Sequence, residues 1–155
     1  MNESMKLTKA IFMLPRLLLI ALAAGSPDEA MGRVSKVVDG DTFDVTLESH
    51  DSRISEDLIR VRFADIDTPE VHGPKAREAG KKASAYAQSW LLSNYIFLDL
   101  DDKTGKDQYD RWIAVAYLSE DGKPGWNFNK QLVGAGHAVI KDFTNSEFDP
   151  QSWWS

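Results

Sequence analysis

Residues 58–70 read LIRVRFADIDTPE, and the fold turns on how this stretch divides. Ile59, Val61 and Phe63 alternate with Arg60 and Arg62, the period of a half-buried β-strand. The alternation places Arg62 on the face opposite the core. The strand runs on to Ile66, and Asp67-Thr68-Pro69-Glu70 then begins a turn. That turn has the form of a capping box: an N-cap residue, Pro at the first helical position and Glu three residues after Asp67. No amphipathic run follows at once, because Gly73 and Pro74 intervene. A cap without a helix leaves these carboxylates open to a chemical role.

Working outward, GRVSKVVDGDTFDVTLE (32–48) holds two short β-type runs around a turn, with Val34, Val37 and Val38 before it and Phe43, Val45 and Leu47 alternating after it. Asp-Gly between such runs is a common hairpin signal. HDSRISED (50–57) is a polar loop. In GKKASAYAQSWLLSN (80–94), Ala83, Tyr86, Ala87, Trp90 and Leu91 recur at helical spacing and make one apolar face. YIFLDL (95–100) and RWIAVAYL (111–118) are a fourth and a fifth strand, separated by the polar DDKTGKDQYD. EDGKPG turns the chain, WNFNKQLVGAG (126–136) is a short helix stopped by Gly134 or Gly136, and HAVI (137–140) is a last extended piece. The remaining DFTNSEFDPQSWWS has no period. The expected class is α+β, mainly β: a five-stranded Greek-key barrel of the OB type with two packed helices. Pattern alone does not separate that barrel from other small folds.

The chain has 155 residues, no cysteine, three scattered histidines and a net charge of -6. That length suits one domain. The missing thiols exclude disulfides, cysteine–zinc sites and thiol nucleophiles. The acidic balance argues against a general polyanion grip, so work on a polyanion would rest on local charges and a bound cation. Residues 1–25 differ from the rest. Lys6, Lys9 and Arg16 precede the apolar LLLIALAAG, and Ala21 and Ala23 fit a cleavage pattern. This is the form of a secretory signal peptide, although Pro15 and Arg16 interrupt the apolar run; an uncleaved amphipathic tail or anchor is the alternative. The expected division is a targeting segment over 1–25, a domain over 31–143 and an irregular tail over 144–155. The product would be secreted or held at the cell envelope, and any membrane contact would go through the first segment.

Asp39, Asp41, Asp65, Asp67 and Glu70 are five carboxylates at the ends of adjacent expected strands. Converging carboxylates repel unless a cation neutralises them or some take up protons. Hard oxygen donors suit Ca²⁺ or Mg²⁺, and the Thr68 carbonyl can complete such a set. Arg62 and Arg111 carry guanidinium forks that match phosphate oxygens. A cation, a carboxylate base and two arginines form a kit for attack of water on a phosphodiester. The plain alternatives are a hairpin turn, a solvated acidic face and two surface ion pairs.

VVDGDTFDV, RVRFADIDTPE, GKKASAYAQSWLL, DQYDRWIAVAYL and NKQLVGAGHAVI occur in this order with matching gaps. Together they resemble the staphylococcal nuclease (thermonuclease) family over residues 34–140. The resemblance implies an OB-type barrel with packed helices and a Ca²⁺-dependent nuclease acting on DNA and RNA and leaving 3′-phosphate ends. By position it implies Asp41, Asp67 and the Thr68 carbonyl as metal ligands and Asp39 as their neighbour. It implies Glu70 as general base, Arg62 and Arg111 on the scissile phosphate, and Tyr109 on a terminal phosphate. The chain departs from the family in three places. Asp110 stands where glycine is usual and is expected to orient Arg111 or to compete with phosphate for it. Gln108 replaces a basic residue. The third helix is missing, with Phe148, Trp153 and Trp154 available to cover the exposed surface. Phe143 is expected in the core rather than at a base. A monomer is expected, without an obligate protein partner. The rival classes are a non-catalytic OB module that binds single strands and a structural Ca²⁺-binding domain.

Overall fold

A computed structural model describes residues 27–74 and 76–155; residues 1–25, with the targeting expectation, lie outside the described residues. The elements are β1 (Ala30–Val37), β2 (Thr42–His50), β3 (Leu58–Phe63), β4 (Ile66–Asp67), α1 (Glu78–Leu91), β5 (Tyr95–Leu100), β6 (Trp112–Glu120), β7 (Lys123–Asn127), α2 (Phe128–Gly134) and β8 (Val139–Ile140). β1 lies between β2 and β5, β3 extends β2, β6 extends β5, and a parallel pairing of β3 with β6 closes the barrel. This is the expected five-stranded OB-type barrel with two helices.

The alternation read from the sequence points inward as expected. Phe43, Val45, Leu47, Ile59, Val61 and Phe63 are all buried. The rings of Phe43, Phe63 and Phe128 pack in series, with centroids 4.9 and 5.7 Å apart, and so join β2, β3 and α2. α1 starts two residues before the expected span and buries Ala83, Ala87 and Leu91. Tyr86 packs against Phe128 and His137, whereas Trp90 stays 44% exposed. Gly80 in its first turn lies against the DTPE loop, and a Cβ there would overlap the Glu70 carbonyl oxygen. The helix start and the loop thus fix one another.

Two differences from the expected elements have local causes. EDGKPG is not only a turn. Asp121 and Gly122 take φ of +51° and +75°, the paired positive values of a tight hairpin turn, and β7 follows where a helix start was expected. HAVI contributes β8, which pairs antiparallel with β4 and so anchors the chain just before Thr68. No third α-helix follows among the described residues. The tail instead forms a loop and a 3-10 turn over Pro150–Trp154, N-capped by Asp149. Trp153 packs on the core, while Trp154 lies beside Lys130, whose Nζ is 5.0 Å from the ring centroid.

α2 is tied to the barrel by one buried amide. Asn129 accepts from Ala116 N at 3.0 Å and donates to the carbonyls of Ala64 and Ala114 at 3.0 and 3.3 Å. Asn129→Ala removes all three of these buried hydrogen bonds, although the Ala114 carbonyl keeps Ala64 N at 2.8 Å, and should cost about 3 kcal/mol, read as a fall in the urea midpoint.

Asp99 on β5 is also buried, and one of its carboxylate oxygens has no hydrogen-bond partner among the described residues. Burial, followed by the charges of Glu29, Glu147 and Asp102, pushes its pKa up to about 7. The folded pKa lies above the unfolded value, so the associated stability is present at acidic pH and lost as pH rises through about 7. Asp99→Asn should therefore gain on the wild type in urea midpoint between about pH 5 and pH 9; a constant difference across that range would mean that Asp99 does not titrate there.

Candidate active site

Strand register brings the pieces together. Thr42 on β2 pairs with Arg62 on β3, and Val61 pairs with Trp112 on β6. Asp41 and Arg111 precede those partners directly, so both reach the end of the barrel where β3 gives way to the DTPE loop.

Arg62 is the centre. Its Nη1 donates to the carbonyls of Phe63 and Ile66 at 2.6 and 2.8 Å. Its Nη2 lies 3.4 Å from Asp41 Oδ2 and 3.3 Å from Asp67 Oδ1. One fork therefore spans two carboxylates and the two carbonyls of the turn between them. Thr68 donates to Asp41 Oδ2 from both its backbone N and its Oγ1, at 3.4 and 3.1 Å. Lys141 Nζ stands 3.6 Å from Asp67 Oδ2.

A second chain of contacts links the arginines. Thr42 Oγ1 donates to Asp41 Oδ1 at 3.0 Å and accepts from Arg111 Nη1 at 3.1 Å. Asp107 fixes the other side of Arg111, accepting from its Nε at 2.7 Å and its backbone N at 3.0 Å. Asp39 Oδ1 accepts from Asp41 N at 3.0 Å.

These contacts divide the charge unevenly. Burial works against ionisation of Asp41, but Arg62 and hydrogen bonds from Asp39, Thr42 and Thr68 hold its pKa below the usual carboxylate value. Asp39, half-buried and next to that charge, is pushed up to about 6, by burial first and then by Asp41.

Beside the arginines lies a cleft of about 470 Å³, whose lining includes Arg62, Lys106, Tyr109, Arg111, Lys141 and Phe143. Tyr109 is 70% exposed, with the Arg111 guanidinium 5.2 Å from its ring centroid. Phe143 is 39% exposed. Its expected place in the core is therefore wrong: it forms part of the cleft wall, with Lys141 Nζ 5.4 Å from its ring centroid.

The model of the staphylococcal nuclease homologue family matches residues 60–152, more than half of the chain. The chain belongs to this family. An uncharacterised protein of Methanocaldococcus jannaschii is 28% identical over 128 residues, 70% of this chain and 58% of its own length. Protein ParB of Escherichia coli is 29% identical over 140 residues, 86% and 71% of the two chains. An uncharacterised endonuclease of Haemophilus influenzae is 32% identical over 128 residues, 81% and 62%. The chain thus spans about three fifths of the length of two of these relatives.

Within this nuclease-like domain, Asp41, Asp67, Thr68 and Arg62 meet, and Thr42 adds Arg111. The expectation of five converging carboxylates does not hold. Among the described residues no group of three or more His, Cys, Asp or Glu side chains converges in a form that could hold a metal ion. Asp65 turns into the interior, where it accepts from Phe143 N and Ser146 Oγ. Glu70 is exposed on the loop, its backbone held by Arg77 N on its carbonyl at 2.9 Å. The donors that do meet, two carboxylates beside Thr68, are all hard oxygens, and a divalent cation such as Ca²⁺ or Mg²⁺ takes such a set and completes it with water. Asp41 and Asp67 are two donors of that kind, both held by Arg62 Nη2, and Thr68 meets Asp41 through its N and Oγ1.

Asp110 neither orients Arg111 nor competes for it. It has φ +62°, which explains why glycine suits the position, and its carboxylate pairs with Lys106 at 2.9 Å. Orienting Arg111 falls to Asp107, which the sequence reading passed over although Asp107 and Arg111 are four residues apart. Thr42 was also passed over, because a hydroxyl that joins two side chains leaves no mark in spacing.

Removing Arg62 leaves Asp41 buried without its counter-charge. Arg62→Ala should cost about 3 kcal/mol of stability by urea denaturation, and Arg62→Lys should restore little of it, since one ammonium cannot span the acceptors of a planar fork.

Proposed function

We propose that this chain is a metal-dependent phosphodiesterase of the thermonuclease type, an endonuclease acting on DNA and also on RNA. The observation that carries this reading is the tie between the two arginines. Both guanidinium groups border one cleft, and the Asp41–Thr42 pair joins them: Arg62 Nη2 lies 3.4 Å from Asp41, Thr42 Oγ1 donates to Asp41 at 3.0 Å, and Arg111 Nη1 donates to Thr42 Oγ1 at 3.1 Å. The proposed cation is Ca²⁺, held by Asp41, Asp67 and the Thr68 carbonyl, with Asp39 as their hydrogen-bonded neighbour. When bound, it supplies Lewis-acid polarisation of a phosphoryl oxygen.

The protein's own groups do the rest. Arg62 and Arg111 hold the scissile phosphate and stabilise the charge that grows on its oxygens. Asp107 and Thr42 keep the Arg111 fork in register before substrate arrives, so little reorganisation is left for the reaction. Glu70 accepts the proton of the attacking water; its loop is held by the Arg77 contact and by the close packing of Gly80. Tyr109 meets a terminal phosphate, and the products carry 3′-phosphates. The leader-like N-terminal segment goes with action outside the cytoplasm, as a monomer.

Glu70→Gln should lower turnover on DNA about a hundredfold or more while leaving the far-UV circular dichroism spectrum unchanged, and EGTA should stop cutting by the wild type. Normal turnover by the variant would remove Glu70 from the mechanism. A gel shift that persists in EGTA, from a protein that never cuts, would instead mark a single-strand binding module.

A further inference from the structure

The second wall of the cleft is the segment 141–147, which follows β8 and supplies Lys141, Phe143, Asn145 and Ser146 to the lining. It contains no regular secondary structure, so something other than a ladder must hold it. Asp65 does so at three points. Its carbonyl accepts from Lys141 N at 2.9 Å, Oδ1 accepts from Phe143 N at 2.7 Å, and Oδ2 accepts from Ser146 Oγ at 2.6 Å. The residue is fully buried and has φ +54°, a left-handed conformation that asparagine and aspartate tolerate better than other side-chain-bearing residues.

A second buried acid, Asp101, receives the far end of the segment through Glu147 N at 3.0 Å. Thr104 Oγ1 donates to the Asn145 carbonyl at 2.8 Å. The segment is thus pinned along its length by two buried carboxylates and by the exposed Thr104 hydroxyl, while Phe143 remains open to the cleft.

We propose that Asp65 is a positioning residue for substrate: by holding the 141–147 segment it presents the Phe143 ring as a stacking face for a base beside the phosphate held by the two arginines. This rests on the nuclease reading and deepens it. Aromatic faces stack on any base, so the wall binds single strands without regard to sequence. Its contribution falls on a part of the substrate that does not react, and it therefore appears in binding rather than in the chemical step.

The test uses Ser146→Ala, which removes one donor to Asp65, with Ser146→Thr as the variant that keeps the hydroxyl and Asp65→Asn as a second perturbation. Hydrogen exchange of the full chain should show faster exchange at the amides of 141–147 in Ser146→Ala and Asp65→Asn, with the barrel amides unchanged and Ser146→Thr close to wild type. For cleavage of a short oligothymidylate, KM should rise about fivefold in the first two variants with kcat held within about twofold. Anisotropy of the fluorescein-labelled oligonucleotide should report the same loss, and Ser146→Thr should restore both.

If the amides exchange no faster, Asp65 is not the anchor. If they do exchange faster while an active enzyme keeps its KM, the segment is not part of the nucleotide site. A wild-type protein that neither cuts nor binds the oligonucleotide would overturn the functional reading itself, and the wall with it.

Discussion

The active end of this barrel depends on one guanidinium group. Asp41 comes from the turn just before β2 and Asp67 from β4, and two like charges brought together near a protein surface repel at a cost in stability. Arg62 removes that cost by standing between them, with Nη2 within 3.4 Å of each, while Nη1 closes the turn from Phe63 to Ile66. The same side chain therefore settles a charge problem and a backbone problem. Its position follows from β3: a residue that alternates away from the core on the last turn-ward step of the strand has nowhere else to reach.

Buried acids elsewhere in the molecule serve as internal ties. Asp65 and Asp101 have no exposed surface; the Asp65 carboxylate accepts from Phe143 N and Ser146 Oγ of the segment that follows β8, and Asp101 accepts from Glu147 N of that segment and from Lys103 N and Thr104 N. Hydrogen bonds to a carboxylate are stronger than those between neutral groups, which is how an aperiodic chain is held without strands or a third helix. Asp99 is the contrast. With one oxygen unpartnered and acidic neighbours, it is a buried carboxylate that nothing nearby stabilises as an anion. The arrangement around β5 thus trades some stability at high pH for a crowded acidic edge.

How much of this was legible in the sequence depends on the range over which each residue acts. Alternation in 42–47 and 58–63 gave the barrel strands, because one buried face imposes period two on the chain itself. The Asp-Gly pair at 121–122 carried the same hairpin signal as the pair at 39–40, yet β7 was missed because the helical spacing after Trp126 overlaps it. Arg62, Asp41 and Asp67 were readable because strand ends and a turn bring them together locally. Asp65 was grouped with the wrong carboxylates: period two cannot tell that a left-handed residue, φ +54°, has swung its side chain to the interior. Phe143 was placed in the core for a related reason, since its surroundings are set by contacts with residues 78 positions away.

The balance of charge at the cleft also bears on how an acidic protein can bind a polyanion. Each cation of the lining is already in an ion pair: Arg62 with Asp41 and Asp67, Arg111 with Asp107, Lys106 with Asp110 and Lys141 with Asp67. A phosphate that approaches the arginines must therefore compete with carboxylates of the same chain. Positive charge placed at Asp41 and Asp67 weakens their hold on Arg62 Nη2 and makes that nitrogen available. In the proposed function, affinity for phosphate and affinity for a cation would therefore be linked, and linkage is reciprocal: whatever factor one ligand confers on the other is returned in full. Such coupling needs no movement of the barrel. It would follow from one fork, held by two carboxylates, being asked to hold a phosphate as well, which is why the geometry around Arg62 matters more to this proposal than the protein's net charge.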